Sequence, residues 1–192
     1  MDIKASINDT RKGFEASFAA GDFYNRQTQD SKHLEKILQF IQISDGMRIL
    51  DLGCGSGYLS FPFARNNPNC EVIGLDIVSE ALDSNRCRAK KEEINNLTFV
   101  NYDGIDFPFA SGTFDWVVTR YALHHFPDIE HSIEEIQRCL KAGGRLFISD
   151  PSPMSAILSG SWMTICVLRR MDIYVFTRRM NGQRSAAGIS FT

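Results

Sequence analysis

Three alternating glycines follow a short apolar run and a carboxylate near residue 50. The segment reads M-R-I-L-D-L-G-C-G-S-G, with Asp51 inside the run and Gly53, Gly55 and Gly57 after it. Glycines at every second position let the backbone turn sharply and leave no Cβ to keep a ligand away. We interpret residues 58–65 as a helix whose free N–H groups face the space above the glycines. The pattern predicts a strand, a glycine loop and a helix that together hold a small cofactor.

A second carboxylate ends the next apolar run. Asp76 closes the segment E-V-I-G-L-D, which suits a buried parallel strand. An ionised carboxylate at this place can accept two hydrogen bonds from a ribose diol. The plainer alternative is a solvated Asp at a strand end, and the distance from the glycine loop favours the ribose interpretation. The acid alone does not separate NAD from S-adenosylmethionine.

The glycine spacing helps to separate these two cofactors. Dinucleotide binding prefers G-x-G-x-x-G, whose glycines let a pyrophosphate approach the helix. This chain has G-x-G-x-G preceded by Asp51. A carboxylate beside a pyrophosphate would be repelled, whereas it suits a ligand with an ammonium group and a sulfonium. The loop therefore favours S-adenosylmethionine, with an NAD-dependent oxidoreductase as the weaker alternative.

The elements that must position these residues alternate along the chain. Apolar runs predict strands at 49–52, 71–76, 97–100, 114–119 and 145–149, and amphipathic or capped segments between them predict helices. Ser31, Ser79 and Asp128 are candidate N-caps, and Gly143-Gly144 would stop the last helix. The fold class is α/β: a Rossmann-like, doubly wound, mostly parallel sheet with helices on both faces. Ligands in such sheets lie outside the carboxyl ends of the strands.

These motifs resemble those of class I S-adenosylmethionine-dependent methyltransferases. The matching segments, in order, are I-L-D-L-G-C-G-S-G, V-I-G-L-D, N-Y-D-G-I-D-F-P-F, F-D-W-V-V-T-R-Y-A-L-H-H-F-P-D and L-K-A-G-G-R-L-F-I-S-D. They are most similar to the group that includes small-molecule C-methyltransferases of the ubiquinone/menaquinone type, with a methyltransferase type 11 domain. The resemblance covers about residues 45–152. It implies S-adenosyl-L-methionine as cofactor, a small-molecule methyl acceptor and in-line methyl transfer.

The resemblance also implies roles for individual residues. Asp51, Gly53 and Gly55 would hold the methionine part, with Cys54 in the same loop and Gly57 shaping the turn. Asp76 would take the ribose hydroxyls, and Ile77 would pack on the adenine. Asp103 would bind the adenine amino group, with Tyr102 and Gly104 beside the ring, and Arg120 would offer backbone contacts near the methionine end.

A general base is needed only if the acceptor must lose a proton. His124 and His125 lie in the loop that faces the expected site, and we take His124 as the candidate base, with His125 as the alternative. Both residues also belong to the recurrent A-L-H-H-F pattern, which favours a structural or cofactor-side role. His33 and His131 are on predicted helices and are expected to face solvent.

Composition narrows the function classes. The chain of 192 residues has 23 acidic and 21 basic residues, so no nucleic-acid partner is expected. Its five cysteines form no C-x-x-C pair and no cluster with histidine, which predicts neither a metal site nor a disulfide framework. A polar N-terminus without a signal-peptide core favours a cytoplasmic location. The apolar stretch 154–168 is too short for an integral membrane span. For assembly, a homodimer is one option.

The two ends of the chain differ from the central part. We divide the chain into an N-terminal cap segment (1–30), a methyltransferase core (31–152) and an atypical or shortened C-terminal segment (153–192). In the cap, Phe14, Phe18, Phe23 and Tyr24 either pack on the domain or cover the cofactor. At the C-terminus, 173–177 and 186–191 would form a compressed antiparallel hairpin, or the hairpin is missing and the fifth strand has an open edge. A non-catalytic S-adenosylmethionine-binding domain is therefore the second functional hypothesis.

Overall fold

The computed structural model describes residues 2–21, 31–150, 163–168 and 173–178. The elements run in the order α1 (Ile3–Ala19), α2 (Ser31–Phe40), β1 (Arg48–Leu52), α3 (Ser60–Asn66), β2 (Glu71–Asp76), α4 (Ser79–Lys91), β3 (Leu97–Asn101), β4 (Phe114–Arg120), a 3₁₀ turn (Leu123–His125), α5 (Ile129–Cys139), β5 (Leu140–Ser149), β6 (Met163–Leu168) and β7 (Ile173–Arg178).

The strands form one sheet in the order β3-β2-β1-β4-β5-β7-β6. The first five are parallel, and β7 is antiparallel to both β5 and β6. The chain first adds strands on one side of β1 and then crosses to β4 on its other side. This reversal of strand order places a crevice at the carboxyl ends of β1 and β4, where α/β sheets bind ligands.

The apolar runs are buried on both faces of the sheet, as predicted for parallel strands. In β1, Ile49 packs into one core cluster, whereas Leu50 and Leu52 pack into the other. The first cluster also contains Ile37 of α2, and the second contains Ile136 of α5. Helices on both faces therefore fix the sheet and the loops at its carboxyl edge.

Three predicted details of the helix ends are wrong. Helix α3 begins at Ser60, two residues after the predicted start, because the glycine loop continues as turns to Leu59. Ser79 is the first residue of α4 and does not cap it, since the N-cap position is Val78. The Gly143-Gly144 pair does not stop α5, which ends at Cys139, and lies instead in the irregular first half of β5. The predicted cap of α5 is confirmed: Asp128 accepts a hydrogen bond from the backbone N–H of His131.

The C-terminal strands correct the predicted pairing. Strand β7 covers the edge of β5, with Ser149 opposite Ile173 and Arg145 opposite Thr177. The other neighbour of β7 is β6, so the hairpin uses Met163–Leu168 rather than 186–191. Residues 186–191 lie outside the described part of the chain. An open edge at β5 is therefore excluded. Among the described residues, no helix is long and apolar enough to cross a membrane.

Candidate active site

A cavity lies at the carboxyl ends of the parallel strands, under α1. About 640 Å³ of space lies between its walls, counting the solvent at its open mouth. The loops after β1, β2, β3 and β4 and one face of α1 all contribute to its wall. The lining residues are Ile7, Thr10, Phe14, Gly53, Gly55, Asp76, Ile77, Val78, Tyr102, Gly104, Tyr121, Ala122, His125, Phe126 and Pro127.

The glycine loop forms the floor of this cavity. All three glycines have positive φ, at 68° for Gly53, 49° for Gly55 and 77° for Gly57. A Cβ on Gly53 would lie 2.4 Å from the Cβ of Ala122, so no larger residue fits between the loops after β1 and β4. At Gly57 a Cβ would lie 2.6 Å from the ring of Phe61. Gly57 does not line the cavity, and its positive φ places it in the turn that precedes α3.

Asp76 lies where the glycine loop meets the end of β2. Its carboxylate accepts hydrogen bonds from the backbone N–H of Gly55 at 2.8 Å and of Val78 at 3.0 Å. The residue is only 8% exposed, and burial raises the pKa of its carboxyl group. A carboxylate has about four acceptor positions. The backbone amides of Gly55, Ile77 and Val78 use some of these, and the remaining acceptor capacity is available to a ligand in the cavity.

Helix α4 holds the glycine loop from the other side. Asn85 is buried and donates from Nδ2 to the backbone oxygen of Gly55 at 2.7 Å. Together with the Gly55 N–H bond to Asp76, this contact fixes the two peptide groups on either side of the Gly55 Cα. The sequence analysis missed Asn85, because a single amide on a polar helix carries no motif.

Asp51 lies behind the glycine loop and does not line the cavity. Its Oδ2 accepts a hydrogen bond from the Ser60 hydroxyl at 2.5 Å. The residue is 2% exposed, and burial raises the pKa of its carboxyl group to about 7. A cation at the methionine end would lower that pKa. Cys54 points into the core, where its Sγ would lie 2.8 Å from a Cβ on Gly74, so only its backbone belongs to the loop.

The loop after β3 forms one end of the cavity. Tyr102 and Gly104 line it, whereas Asp103 is exposed and does not. Asp103 Oδ1 accepts from the backbone N–H groups of Ile105 and Asp106, at 2.9 and 3.2 Å. Among the described residues, no donor contacts its Oδ2. The carboxylate therefore shapes its own loop.

An ion pair on α5, between the buried Glu135 and the partly exposed Arg138, anchors the same loop. Glu135 accepts from the backbone N–H of Phe107 at 2.8 Å, and Arg138 donates to the backbone oxygens of Phe107 and Phe109. The two side chains also bond each other, with Oε2 of Glu135 2.6 Å from Nη2 of Arg138. The hydrogen bond from Arg138 lowers the pKa of Glu135. This pair fixes the loop after β3 to the body of the domain.

The loop after β4 forms the other end of the cavity. Tyr121 has a positive φ of 52°, uncommon for a residue with a side chain, and lines the cavity. Arg120 does not line it. Its guanidinium lies 4.1 Å from the ring centroid of Tyr58 and 4.2 Å from that of Tyr121. Its Nε donates to His33 Nδ1 at 3.3 Å, so the expectation that His33 faces solvent is wrong.

The two adjacent histidines have different surroundings. His124 does not line the cavity; its Nδ1 lies 2.9 Å from Oδ2 of Asp150, a buried residue just after β5. His125 does line the cavity, and burial followed by the neighbouring His124 lowers its pKa. The structure thus gives the alternative candidate, His125, direct access to a ligand. His131, the remaining helix histidine, is partly exposed and contacts Asp106.

Helix α1 covers the cavity. Ile7, Thr10 and Phe14 line it at i, i+3 and i+7 spacing, which places them on one face of the helix. Of the four aromatic residues considered for this role, Phe14 lines the cavity and Phe18 does not, whereas Phe23 and Tyr24 lie outside the described residues. Ile7 and Thr10 were missed, although their spacing with Phe14 is a detectable signal.

Comparison with known proteins agrees with this architecture. A family model described as "Methyltransferase domain" matches residues 43–171. A demethylmenaquinone methyltransferase of Lactococcus lactis is 36% identical over 108 residues, which are 56% of this chain and 43% of that protein. A 27-O-demethylrifamycin SV methyltransferase of Amycolatopsis mediterranei is 32% identical over 124 residues, 62% of this chain and 45% of that protein. The chain spans about half the length of the curated relatives it matches.

A solved structure extends the agreement to the fold. The SAM dependent methyltransferase from Aquifex aeolicus superposes with a TM-score of 0.67, covering 80% of this chain and 95% of that one at 17% identity. An identity this low supports the fold alone. The assignment to a family rests on the family model, because it matches more than half of the chain. The chain therefore belongs to the methyltransferase domain family, class I enzymes whose methyl donor is S-adenosylmethionine.

Proposed function

We propose that this chain binds S-adenosylmethionine in the cavity and transfers its methyl group to a small organic acceptor. The observation that carries the proposal is the buried Asp76 carboxylate on the cavity wall, beside two glycines with positive φ. Buried carboxylates are rare unless they have partners. Asp76 accepts from the backbone amides of the loops around it and has remaining acceptor capacity, which fits a ribose diol.

The residues on the wall divide into two ends that suit the two parts of this cofactor. Tyr102, Gly104 and Ile77 would contact the adenine, with the remaining oxygen of Asp103 available to its amino group. Gly53 and Gly55 would contact the methionine part through backbone groups. Asp51, behind them, would balance its positive charge. On the far side, Arg120 would contact it through its backbone. When bound, S-adenosylmethionine supplies a methyl group activated by a positively charged sulfur. The protein must then align the acceptor and exclude water.

The acceptor is proposed to be a small and largely apolar molecule. The part of the wall near His125 contains Phe14, Phe126 and Pro127, which would exclude water from an aromatic or aliphatic group. The two relatives described above are named for a demethylmenaquinone and a demethylrifamycin acceptor. We carry over from them only the class of acceptor, a small molecule.

The proposal is tested by following a labelled methyl group from S-adenosylmethionine to a panel of small acceptors. We expect transfer, and we expect Asp76→Ala to weaken binding of S-adenosylhomocysteine by about 1.5–3 kcal/mol, the usual effect of losing hydrogen bonds to a charged group. Asp83→Ala is the matched control, because Asp83 is exposed on α4 and pairs with Arg86. Unchanged affinity in Asp76→Ala would contradict the ribose assignment. Tight binding without any transfer would instead favour a non-catalytic binding domain.

A further inference from the structure

Helix α1 meets the loop after β3 at Ile7. Of the residues of α1, all of which the structure describes, only Ile7 is buried, at 8% exposure. Its side chain lies directly over Gly104, where a Cβ would be 2.8 Å from Cγ2 and 3.4 Å from both Cγ1 and Cδ1. Gly104 has a φ of 88°, so the backbone and the close approach of Ile7 both favour glycine there. The two residues close one end of the cavity between them.

The loop beneath Ile7 is fixed to the body of the domain. The ring of Tyr102 packs edge-to-face on that of Phe107, with centroids 5.6 Å apart. Phe107 is 3% exposed, and its backbone N–H donates to Glu135 of α5 at 2.8 Å. Gly104 lies between these two anchored aromatic residues. The wall opposite Ile7 therefore has little room to retreat when a ligand fills this end of the cavity.

The ribose and the base of the proposed cofactor would follow this loop in a fixed order. Asp76, the proposed ribose ligand, is joined to the start of the loop, because its backbone oxygen accepts from the N–H of Tyr102 at 3.3 Å. Gly104 follows two residues later and lines the same cavity. A base on that ribose would pass Tyr102 and direct its far edge to Ile7 and Gly104. In adenine, the edge far from the ribose carries the exocyclic amino group, N6.

We propose that Ile7 is a specificity-determining residue, which closes the adenine end of the cavity and limits the size of the purine that this chain accepts. This inference rests on the proposed function and adds a residue of α1 to its cofactor site. An alkyl group on N6 would meet the Ile7 side chain, and added carbon atoms in a packed site are costly because the surroundings must shift. A smaller side chain at this position would leave space for the alkyl group.

The experiment is titration calorimetry of the full chain with S-adenosylhomocysteine and its N6-methyl and N6-propyl derivatives. The propyl group adds as many carbon atoms as Ile7→Ala removes, and the methyl group adds as many as Ile7→Val removes. An alkylated N6 keeps one N–H, so the hydrogen bond proposed for Asp103 is possible with every ligand. Ile3→Ala is the matched control, since it makes the same change in the same helix at a residue that is 39% exposed and does not line the cavity.

The expected result is a reversal of size selectivity at one position. Wild type should bind the N6-propyl compound about 30-fold more weakly than S-adenosylhomocysteine, the usual effect of overpacking. Ile7→Ala should bind the two compounds within about threefold of each other, because the deleted carbon atoms leave a space of matching size. Ile7→Val should accept the N6-methyl compound and still discriminate against N6-propyl, which keeps the test decisive if Ile7→Ala fails to fold. Ile3→Ala should follow wild type with all three ligands.

A second control separates the shape of Ile7 from a general loosening of α1. Phe14 packs edge-to-face on His125 at the other end of the helix, with ring centroids 4.8 Å apart. Phe14→Ala removes that contact and leaves Ile7 in place. It should therefore keep the wild-type ratio of affinities for S-adenosylhomocysteine and the N6-propyl compound. A helix that merely loosens would lose this discrimination in Phe14→Ala as well.

The remaining outcomes would overturn one part of the account or the other. If wild type binds no S-adenosylhomocysteine, the proposed function itself is wrong. If wild type binds the N6-propyl compound as tightly as S-adenosylhomocysteine, Ile7 does not limit the purine. The same conclusion follows if neither Ile7 variant gains relative affinity for its matched compound, or if Ile3→Ala or Phe14→Ala gains it too.

Discussion

Asp51 should release a proton when S-adenosylmethionine binds. In the free protein its carboxyl group is buried behind the glycine loop, and its pKa is raised to about 7, mainly by burial. The proposed function brings an ammonium group and a sulfonium close to this carboxyl group, and positive charge favours the carboxylate. Because the free protein at pH 7 carries the proton about half of the time, binding at pH 7 should release about half a proton, rising toward one at pH 6.

The affinity should follow the same linkage. The ligand prefers the ionised carboxylate, so binding becomes tighter as the pH rises toward 7. Below pH 7, each unit of acidification should weaken binding about tenfold, or about 1.4 kcal/mol, until the pKa of the bound state is reached. Asp51→Asn cannot ionise and keeps a similar shape beside Ser60. Its affinity should therefore be weaker at pH 7 and nearly independent of pH between 5 and 7.

The assay is titration calorimetry of wild type and Asp51→Asn in several buffers with different ionisation enthalpies. The dependence of the observed enthalpy on the buffer gives the number of protons released, and the difference between the two proteins isolates Asp51 from other titrating groups. Equal proton release by wild type and Asp51→Asn at pH 6 and 7 would refute the pairing of Asp51 with a cation.

Two further predictions concern the loops that form the cavity. Gly53→Ala should lower the free energy of unfolding by about 2–4 kcal/mol in denaturant titrations, because strain at positive φ adds to a collision between the loops after β1 and β4. The control is Gly112→Ala, where φ is similar but a Cβ would meet open space. An equal loss of stability in Gly112→Ala would contradict the collision argument. Glu135→Gln should lower the free energy of unfolding by about 1.5–3 kcal/mol, since the hydrogen bonds of Glu135 lose their charged acceptor. It should also weaken S-adenosylhomocysteine binding by loosening the loop after β3. Glu134 is exposed, so Glu134→Gln should match wild type in both measurements.

The parallel part of the fold was predictable because its signals are local. Apolar runs such as Glu71–Asp76 predict strands without any knowledge of the residues that pack around them. The structure places that strand within the predicted bounds. The glycine loop and Asp76 could be found for the same reason: their residue types are required by backbone geometry and by ligand chemistry at the strand ends. The structure places both on the cavity wall.

The parts that were missed depend on tertiary contacts. Ile7 and Thr10 line the cavity only because α1 docks across it; their spacing with Phe14 marks one face of a helix but does not specify what that face covers. The neighbours His124 and His125 are identical in type, and their different positions arise from the 3₁₀ turn and the anchor at Asp150. Likewise, β7 pairs with β5 through long-range contacts that local sequence does not specify.

The most direct test of the central claim is calorimetry of the full chain with S-adenosylmethionine, S-adenosylhomocysteine and NAD. The account predicts saturable binding of both sulfur compounds with one site per chain, competition between them, and no measurable binding of NAD. Binding of NAD without binding of either sulfur compound would contradict it.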